Sequence, residues 1–534
     1  MNPRVLSAAA VCAGAAMAVA LGAQQAAPWK QAAYLKASNP GMFDHFGEGG
    51  ALDGHIGNSV ATSADGSTIA VGAQHESSGA RGVNGNQNDE TAYNAGAVYV
   101  YARSGAAWAQ QAYLKASNTG SGDHFGNAVA LSADGTTLAV SAFWESSGAT
   151  GVNGDQDDNS IPQAGAVYVF TRSGGTWTQQ AYIKASNTGR AGEGELPGEG
   201  DQFGFSLALS GDGNTLVVGA PSEDSNAGGI NGNQQSDAAS SAGAVYVYAR
   251  TRGTWTQQAY LKSDTPTNFT LGDQFGYSVA LNSDGTTLAI GVYDEGGSGR
   301  TVNAPVDTNR NGSGAAYVFR RTGATWTKEA YLKTWNAEGG DSWGAAISIS
   351  EDGNTVALGS IDEDCLCGVI VHAPSDVGAT DQKSDQSVGA AAIFVRSGAT
   401  WTQQAYLKPL NPSRGDWFGV RLALSGDGNT LVVGAQNEDS AARGINGNQM
   451  DESAPEAGAV YVFARSGTMW SQQAYVKGSN TEAYDEFGGS VAVSRNGNVF
   501  LAGARGEDSG AHGVNGDQAD NSLDESGAVY VFTR

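Results

Sequence analysis

A short pattern of oxygen-bearing side chains recurs along the chain and could bind a hard cation. Each copy has a Glu, an Asn-Gly pair, an Asp or Asn followed by Gln, and in most copies a further Asp. Oxygen ligands spaced around a glycine turn suit calcium, which takes about six to eight of them. We expect the copies containing Asp155 and Asp517 to bind best, because these residues replace Asn. The candidate ligands are Glu76, Asn84, Asn86 and Asp89; Glu145, Asn153, Asp155, Asp157 and Asp158; Glu438, Asn446, Asn448 and Asp451; and Glu507, Asn515, Asp517 and Asp520, with a weaker copy at Glu223, Asn231 and Asn233.

The same pattern also has a purely structural explanation. Asn-Gly readily forms a turn, the Gln side chain can bond to backbone, and the acidic side chains can be solvated. Two further copies are degraded, one to Asn303 and Asp307 and the other to Asp381, Gln382 and Asp385. The sequence leaves both interpretations, calcium ligand and turn, open.

No residues are arranged as an active site would require. The six histidines share no repeat position, and the serines lie in turn sequences. No glycine-rich loop follows a strand and opens a helix, as nucleotide-binding motifs do. We therefore expect no enzymatic activity. The histidines are His45, His55, His75, His124, His372 and His512.

These candidate residues belong to a unit that is written seven times. Each copy opens with a Trp, and successive copies begin about 70 to 80 residues apart, within reach of a four-stranded unit with one large loop. Apolar segments alternate with Gly, Asn, Asp and Ser clusters, and helical periodicity is absent after residue 25. The chain is therefore predicted to be all-β. The opening residues are Trp29, Trp108, Trp177, Trp255, Trp326, Trp401 and Trp470.

The second copy divides into four strands, at residues 125–132, 137–142, 165–170 and 177–185. Its third strand is apolar on both faces, as a strand between two packed sheets must be. Its fourth carries long polar side chains that suit an outer edge. Four antiparallel strands in each of seven units predict a seven-bladed β-propeller. A linear β-solenoid is the alternative, but it would need polar capping repeats, and the terminal copies are as apolar as the others.

A Phe-Gly pair begins the first strand of most copies. In the third copy Phe203-Gly204 is followed by Gly219-Ala220-Pro221, and with these motifs the chain resembles FG-GAP repeat proteins, which include the head of integrin α subunits. The resemblance covers nearly all of residues 28–534 and implies the propeller, but no particular activity. In the first copy, either Phe46-Gly47 or Ile56-Gly57 could be the pair that begins the first strand. The pair recurs at Phe125-Gly126, Phe275-Gly276, Phe418-Gly419 and Phe487-Gly488, with Trp343-Gly344 in the fifth copy.

One feature implied by the resemblance is missing from this sequence. Integrin-like repeats hold calcium in a D-x-D-x-D-G hairpin that follows the Phe-Gly strand. Here that hairpin is cut to a form such as Ser210-Gly211-Asp212-Gly213. One carboxylate cannot supply the oxygen shell that calcium prefers. The integrin-type calcium site is therefore not expected in this chain.

The two ends of the repeat region predict how the ring closes. The chain ends on a third strand at residues 527–534, whereas residues 29–37 form a fourth strand with no blade before it. Pairing the two segments would close the ring and cover both sheet edges. The N-terminal strand is therefore expected to complete the C-terminal blade.

Blade order separates the short turns from the long loops. The loops before each Phe-Gly strand and the loops of about 20 residues lie on one side, here named the long-loop face, where binding is expected. We expect a non-enzymatic, adhesion-type role in which this face meets a protein or a surface polymer. The alternative is a lectin-like propeller, since some FG-GAP relatives bind sugars and Trp144 and Trp417 could stack on pyranose rings.

Charge and the N-terminal segment set the expected location and partners. The 534 residues include 29 Lys and Arg against 54 Asp and Glu, a formal net charge of −25, which argues against nucleic acid as a partner. Residues 1–23 have a positive start at Arg4, an apolar run and a small-residue cleavage site before Gln24, as in a secretory signal. A membrane anchor is the alternative. We expect an exported mature chain, residues 24–534, that forms one propeller without a transmembrane segment.

Cysteine use predicts that folding does not depend on a disulfide framework. Signal cleavage would remove Cys12 and leave Cys365 and Cys367, separated by one residue. A lone Cys-x-Cys lacks the second ligand pair of a zinc site. The two residues are expected to be loop thiols or a local disulfide.

Overall fold

The computed structural model describes residues 28–48, 57–189, 200–264, 272–367, 370–374 and 386–534. The predicted signal segment, His55, and the degraded pattern at Asp381, Gln382 and Asp385 lie outside these ranges. In the described part of the chain, no helix has the length and hydropathy to span a bilayer. Cys365 and Cys367 form the local disulfide.

Seven antiparallel sheets form the seven predicted blades, and each strand runs where the repeat places it. Blade 1 contains β2 (Val60–Thr62), β3 (Thr68–Ala73), β4 (Ala97–Ser104) and β5 (Ala107–Leu114); blade 2 contains β6 (Phe125–Leu131), β7 (Thr137–Ala142), β8 (Ala166–Ser173) and β9 (Thr176–Ile183); blade 3 contains β10 (Ser206–Leu209), β11 (Thr215–Ala220), β12 (Ala244–Thr251) and β13 (Thr254–Leu261); and blade 4 contains β14 (Phe275–Leu281), β15 (Thr287–Val292), β16 (Ala315–Thr322) and β17 (Thr325–Leu332). Blade 5 contains β18 (Ala346–Ile349), β19 (Thr355–Ser360), β21 (Ala390–Ser397) and β22 (Thr400–Leu407), with the short β20 (Ile370–Val371) on its outer edge; blade 6 contains β23 (Phe418–Leu424), β24 (Thr430–Ala435), β25 (Ala459–Ser466) and β26 (Met469–Val476); and blade 7 contains β27 (Ser490–Val493), β28 (Val499–Ala504), β29 (Ala528–Thr533) and β1 (Lys30–Leu35).

The last blade is closed by the first strand, as the sequence predicts. Strand β1 pairs antiparallel with β29, and Tyr34 lies opposite Tyr530. Arg534 lies over the Trp29 ring at 4.9 Å, repeating the Arg–Trp contact of the other blades. The N-terminal strand thus completes blade 7 with the contacts of an ordinary fourth strand.

The Phe-Gly pair is explained by close packing between neighbouring blades. The ring of Phe125 is buried edge-on against Tyr168 of its own blade. Gly126 has a φ of 100°, and its carbonyl oxygen lies so close to Gly72 of blade 1 that a Cβ there would overlap it. Glycine at position 126 allows the positive φ, and glycine at position 72 leaves room for the Gly126 carbonyl oxygen.

The same packing identifies the Phe-Gly pair of the first copy. Phe46 packs edge-on against Tyr99, and the carbonyl oxygen of Gly47 approaches Gly503 of blade 7. The pair is therefore Phe46-Gly47 and not the alternative at residues 56–57. A segment inserted after Glu48 separates the pair from the rest of its inner strand.

The inner strands β2, β6, β10, β14, β18, β23 and β27 contact one another in a closed ring around a central channel. The channel holds a cavity of about 120 Å³ lined by Tyr277 and Arg421, among others. Arg421 reaches across the channel, and its guanidinium donates to the Gly57 carbonyl oxygen at 2.9 Å. Blades 1 and 6 are thereby connected through the centre of the ring.

Candidate functional site

The Glu that recurs in each long loop is a buried partner of a Lys. Each Glu side chain is at most 6% exposed, and the Lys side chains are fully buried. In six of the pairs the Nζ–Oε distance is 2.6–2.9 Å. The structure therefore assigns these carboxylates an ion-pairing role in the core. The pairs are Glu76–Lys115, Glu145–Lys184, Glu223–Lys262, Glu295–Lys333, Glu363–Lys408, Glu438–Lys477 and Glu507–Lys36.

Blade 2 shows how fully this carboxylate is hydrogen bonded. Glu145 accepts from Lys184 at 2.8 Å and from the Tyr182 hydroxyl at 3.0 Å. It also accepts from the Asn118 amide at 2.9 Å and the Ser147 backbone N–H at 3.1 Å. Burial lowers the pKa of Lys184, and the adjacent carboxylate opposes that shift. Four donors leave Glu145 little capacity to bind a metal as well.

The Asn of the Asn-Gly pair anchors the loop to the outer strand of its blade. Asn153 has a φ of 56°, and its Oδ1 accepts from the Tyr182 backbone N–H at 3.0 Å. The degraded copy keeps this role, since Asn303 makes the equivalent bond to Tyr331 at 2.9 Å. The same contact recurs for Asn84, Asn231, Asn446 and Asn515.

The remaining acidic residues of the pattern cap local turns on the surface. Asp155 is exposed and accepts from the Asp157 backbone N–H at 3.0 Å, and Asp158 accepts from the Ser160 N–H at 3.0 Å. The bond made by Asp155 recurs at Asn86, Asn448 and Asp517. The bond made by Asp158 recurs at Asp451 and Asp520. The Asp89 backbone carbonyl accepts from the Gly79 N–H at 2.9 Å.

The loop acids of a copy therefore do not gather around one point. Glu145 points to Lys184 in the core, whereas Asp155 is exposed at the surface. Turn formation accounts for the contacts of Asn153, Asp155 and Asp158, but the expectation that the acidic side chains are solvated is wrong for Glu145, which is buried against Lys184. Calcium binding by the loops stays a prediction.

In blades 1, 2, 3, 5, 6 and 7 the Asp that precedes the Phe-Gly strand accepts a backbone hydrogen bond from the loop before it. In blade 6 the Asp416 carboxylate accepts from the Ser413 backbone N–H at 2.8 Å. Burial raises the pKa of Asp416 to about 8, and the nearby Glu438 adds to the shift while the Ser413 bond opposes it. The equivalent turn bonds are made by Asp44, Asp123, Asp201, Asp341 and Asp485.

The mouth of the channel on the long-loop face is built from two positions in every blade. The residue before the Phe-Gly pair has a φ of 53–56°, and its carbonyl accepts from the N–H of the residue after the pair. This turn presents both side chains at the top of the inner strand. From blade 1 to blade 7 the two positions hold His45 and Glu48, His124 and Asn127, Gln202 and Phe205, Gln274 and Tyr277, Ser342 and Ala345, Trp417 and Val420, and Glu486 and Gly489.

This arrangement corrects the prediction that the histidines share no repeat position. His45 and His124 occupy the same position, directly before the Phe-Gly pairs of blades 1 and 2. The equivalence was hidden because the insertion after Glu48 left two Phe-Gly candidates in the first copy. His75 joins them from the end of β3, with its ring centroid 4.6 Å from that of His45 and 5.0 Å from that of His124.

His45 lies among carboxylates. Its Nε2 is 2.9 Å from Glu525 and its Nδ1 is 3.4 Å from Glu48. Burial alone lowers the pKa of His45, but Glu48 and Glu525 outweigh burial and raise it to about 9. Burial raises the pKa of Glu48, but His45, His75 and Arg505 outweigh burial and lower it to about 2.

Aromatic side chains occupy the adjoining side of the mouth. Phe143, Phe205 and Tyr277 pack together, with Trp144 and Tyr293 against them. Trp144 follows β7 at the position that His75 holds in blade 1, and its ring lies 4.4 Å from that of His124. Both sequence-predicted sugar ligands, Trp144 here and Trp417 before the Phe-Gly pair of blade 6, are thus partly exposed at the mouth, on different blades.

Exposed apolar side chains are concentrated on the long-loop face. Among the described residues, eight large apolar side chains are exposed, and seven of them belong to its loops. Phe43 and Tyr484 share a repeat position, directly before the Asp that precedes the Phe-Gly pair, but the other five do not recur, so the repeat pattern gave little signal for them. The seven are Met42, Phe43, Tyr93, Leu366, Leu410, Met450 and Tyr484; the eighth, Met469, lies at the β25–β26 turn on the opposite face.

Fold and site together define a seven-bladed β-propeller with its varied side chains at one end of the channel. The FG-GAP repeat family matches residues 108–170, 401–463 and 470–532. The chain therefore contains FG-GAP repeats and folds as a seven-bladed propeller. No curated protein matches the sequence.

Several solved propellers are similar to the chain at low sequence identity. A putative 6-phosphogluconolactonase from Bacteroides uniformis ATCC 8492 has 11% identity and a TM-score of 0.43, with 79% of this chain and 85% of that chain covered. The periplasmic gluconolactonase PpgL of Pseudomonas aeruginosa has 13% identity and a TM-score of 0.44, covering 85% and 98%. The Cps50 (Swd1) propeller domain of Myceliophteria thermophila has 9% identity and a TM-score of 0.46, covering 95% and 100%. None of these likenesses bears on function.

Proposed function

We propose that this protein is a non-enzymatic binding propeller that recognises a polypeptide partner through its long-loop face. The observation that carries the proposal is the concentration of exposed apolar side chains there. Tyr93 is 74% exposed, Met450 69% and Tyr484 60%. Aromatic and Met side chains of this kind are enriched at protein interfaces and bury well against a partner.

Charge indicates what kind of partner fits. The exposed apolar residues lie among loop carboxylates, on a chain with a formal net charge of −25. Electrostatic complementarity favours a partner whose surface is basic around an apolar patch. The buried Glu side chains are already paired with Lys, which supports a scaffolding role for them and leaves recognition to the exposed residues.

A capture experiment with matched variants tests this proposal. Immobilised mature protein is exposed to envelope and secreted material of the producing organism, and retained proteins are compared between variants. We expect a retained protein that is lost with Tyr93→Ser combined with Tyr484→Ser and kept with Met469→Ser on the opposite face. Equal retention by all three proteins would contradict the proposal.

A lectin-like role is the second candidate function. It is supported by the exposure of Trp144 and Trp417 at the channel mouth, where aromatic faces could stack on a sugar. A glycan array is the direct test. Binding to one sugar class that is lost in Trp144→Ala or Trp417→Ala would favour the lectin, and no glycan signal would reject it.

We also propose that the exposed loop carboxylates attract calcium, because clustered like charges repel one another unless a cation screens them. Asp155 and Asp517 remain the favoured sites, since both side chains are exposed. Calorimetric titration of the wild type is compared with Asp155→Asn and Asp517→Asn. Heat that falls in both variants would support binding, whereas no heat in the wild type would leave the loops as solvated turns.

Export is the proposed route by which the propeller meets its partner. The basic start and apolar run of residues 1–23 support it. Mass spectrometry of secreted protein should find a chain that starts near Gln24. A product retaining Arg4 and the apolar run would indicate a membrane anchor instead.

A further inference from the structure

Blade 1 differs from the other blades in what it places at the channel mouth. His45 and Glu48 occupy the two positions around the Phe-Gly pair, and a backbone bond from the Glu48 N–H to the His45 carbonyl at 2.9 Å holds them on one side. His75, from the end of β3, brings a third donor to the same place. Within the described part of the chain, these residues form the one group of three His, Cys, Asp or Glu whose ligand atoms all lie within 4.8 Å of one another.

The three donor atoms have the spacing of a metal shell. His45 Nδ1 and His75 Nδ1 are 2.7 Å apart, and Glu48 Oε2 lies 3.4 Å from the first and 3.6 Å from the second. A point about 2 Å from all three atoms exists within this triangle, and that length is the usual bond from zinc to imidazole nitrogen or carboxylate oxygen.

Neighbouring groups fix the orientation of the ligands. The Glu525 carboxylate lies 2.9 Å from His45 Nε2, so the ring donates Nε2–H to it and Nδ1 is the nitrogen that faces the cluster, where a bound metal ion would replace its proton. The Gln74 amide donates to Glu48 Oε2 at 2.7 Å. A carboxylate behind a ligating histidine is the usual outer support of metal centres, because it sets the tautomer and the ring plane.

A metal ion at this point would contact all three atoms at once, whereas a proton held between His75 and His45 joins only two of them. We propose that His45, Glu48 and His75 bind one divalent transition-metal ion, represented by Zn²⁺, at the mouth of the channel.

Ligand type excludes calcium from this site and distinguishes it from the loops. Two imidazoles and one carboxylate suit Zn²⁺, Ni²⁺ or Cu²⁺, whereas calcium takes an all-oxygen shell. The His75 side chain is 22% exposed, so the shell is open toward the mouth on that side. Three protein ligands with an open position are typical of a site that binds water or a donor group of a second molecule.

The proposal is tested by calorimetric titration of the chelator-treated mature protein with Zn²⁺. We expect one equivalent to bind, and His75→Ala to weaken that binding by more than about tenfold, since removal of an outer partner alone costs that much. His512→Ala, which removes an exposed histidine of the same face, should bind as the wild type does. Equal Zn²⁺ affinity of His75→Ala and the wild type would overturn the proposal.

A spectroscopic measurement on the wild type gives an answer that does not depend on the folding of a variant. Co²⁺ in a shell of two imidazoles and a carboxylate with few waters should show visible d–d bands stronger than those of aqueous Co²⁺. Calcium should neither produce nor displace a signal. A Co²⁺ spectrum identical to that of the aqueous ion would show that the three side chains form only a hydrogen-bonded cluster.

Discussion

The seven buried Lys–Glu pairs tie each long loop to the core of the propeller. Each pair joins a residue that begins a long loop to a residue that ends an outer strand, and a Tyr hydroxyl donates to the same carboxylate in six blades. A buried pair of this kind contributes little beyond apolar residues of the same volume, but losing one partner is costly. The pairs therefore favour a single loop arrangement on the face that we propose for binding.

Lys184→Met is expected to lower the free energy of unfolding by about 3–5 kcal/mol, because it leaves the Glu145 carboxylate buried without its counter-ion. Denaturant unfolding followed by fluorescence measures the change. The double variant with Glu145→Gln should recover much of the loss, since no charge then remains and the amide oxygen still accepts from Tyr182 and Asn118. A single variant as stable as the wild type would refute the structural role of the pair.

Asp416 makes stability depend on pH in a direction that can be calculated. Its pKa in the folded chain is about 8, above the ordinary value of 3.8, so the folded state favours the protonated acid. This stabilisation is complete below about pH 4 and is lost as the pH rises through 8. Asp416→Asn should therefore stabilise the protein at pH 8 by more than about 1 kcal/mol and change little at pH 4.

Asp134, in the hairpin between β6 and β7, provides a control with the opposite pH dependence. Hydrogen bonds from Ser132 and Thr136 outweigh the opposing effect of burial and hold the pKa of Asp134 below its ordinary value. Asp134→Asn should therefore destabilise the protein at neutral pH and lose that effect in acid. If Asp416→Asn shows the same pH trend as Asp134→Asn, the buried-acid account of Asp416 is wrong.

Among the elements, the N-terminal strand is the one that closes the ring. Strand β1 covers the edge of β29, and Lys36 directly after it supplies the counter-ion of Glu507. Its Tyr34 hydroxyl also donates to Glu507 at 2.6 Å. One short segment thus provides both the edge pairing and the buried charge pair of blade 7.

Deletion of residues 28–37 should open blade 7, lower the melting temperature by several degrees or more, and expose a sheet edge that promotes aggregation. Thermal unfolding and light scattering measure both effects. A chain that begins at residue 28 is the control and should melt as the full mature chain does. If the chain without residues 28–37 melts like the control, the pairing of β1 with β29 does not stabilise the ring.

Most strands could be predicted from the repeat, because the same strand pattern is present in seven copies. The four strands of blade 2 and the pairing of β1 with β29 lie where the sequence places them. The group of His45, Glu48 and His75 was not predicted, because neither Glu48 nor His75 recurs at its position in another copy. His45, His75 and Glu525 meet only when blade 7 closes on blade 1, and the insertion after Glu48 masks the shared position of His45 and His124.

At the scale of the molecule, the two faces of the ring differ in what they expose. Short hairpins surround a cavity of about 180 Å³ at one end of the channel, whereas the other face carries the long loops and seven of the eight large exposed apolar side chains of the described residues. Loops on a rigid scaffold are where binding surfaces usually lie. The central claim is therefore that one face of the propeller, and not the other, meets a polypeptide partner.

Site-specific photo-crosslinking tests this claim most directly. A benzophenone-bearing aromatic amino acid is placed at Tyr93 on the long-loop face in one protein and at Met469 on the opposite face in another. Both proteins are irradiated in the presence of envelope and secreted material, and adducts are identified by mass spectrometry. We predict a specific protein adduct from position 93 and none from position 469. An adduct from position 469 alone, or the same adduct from both positions, would contradict the account.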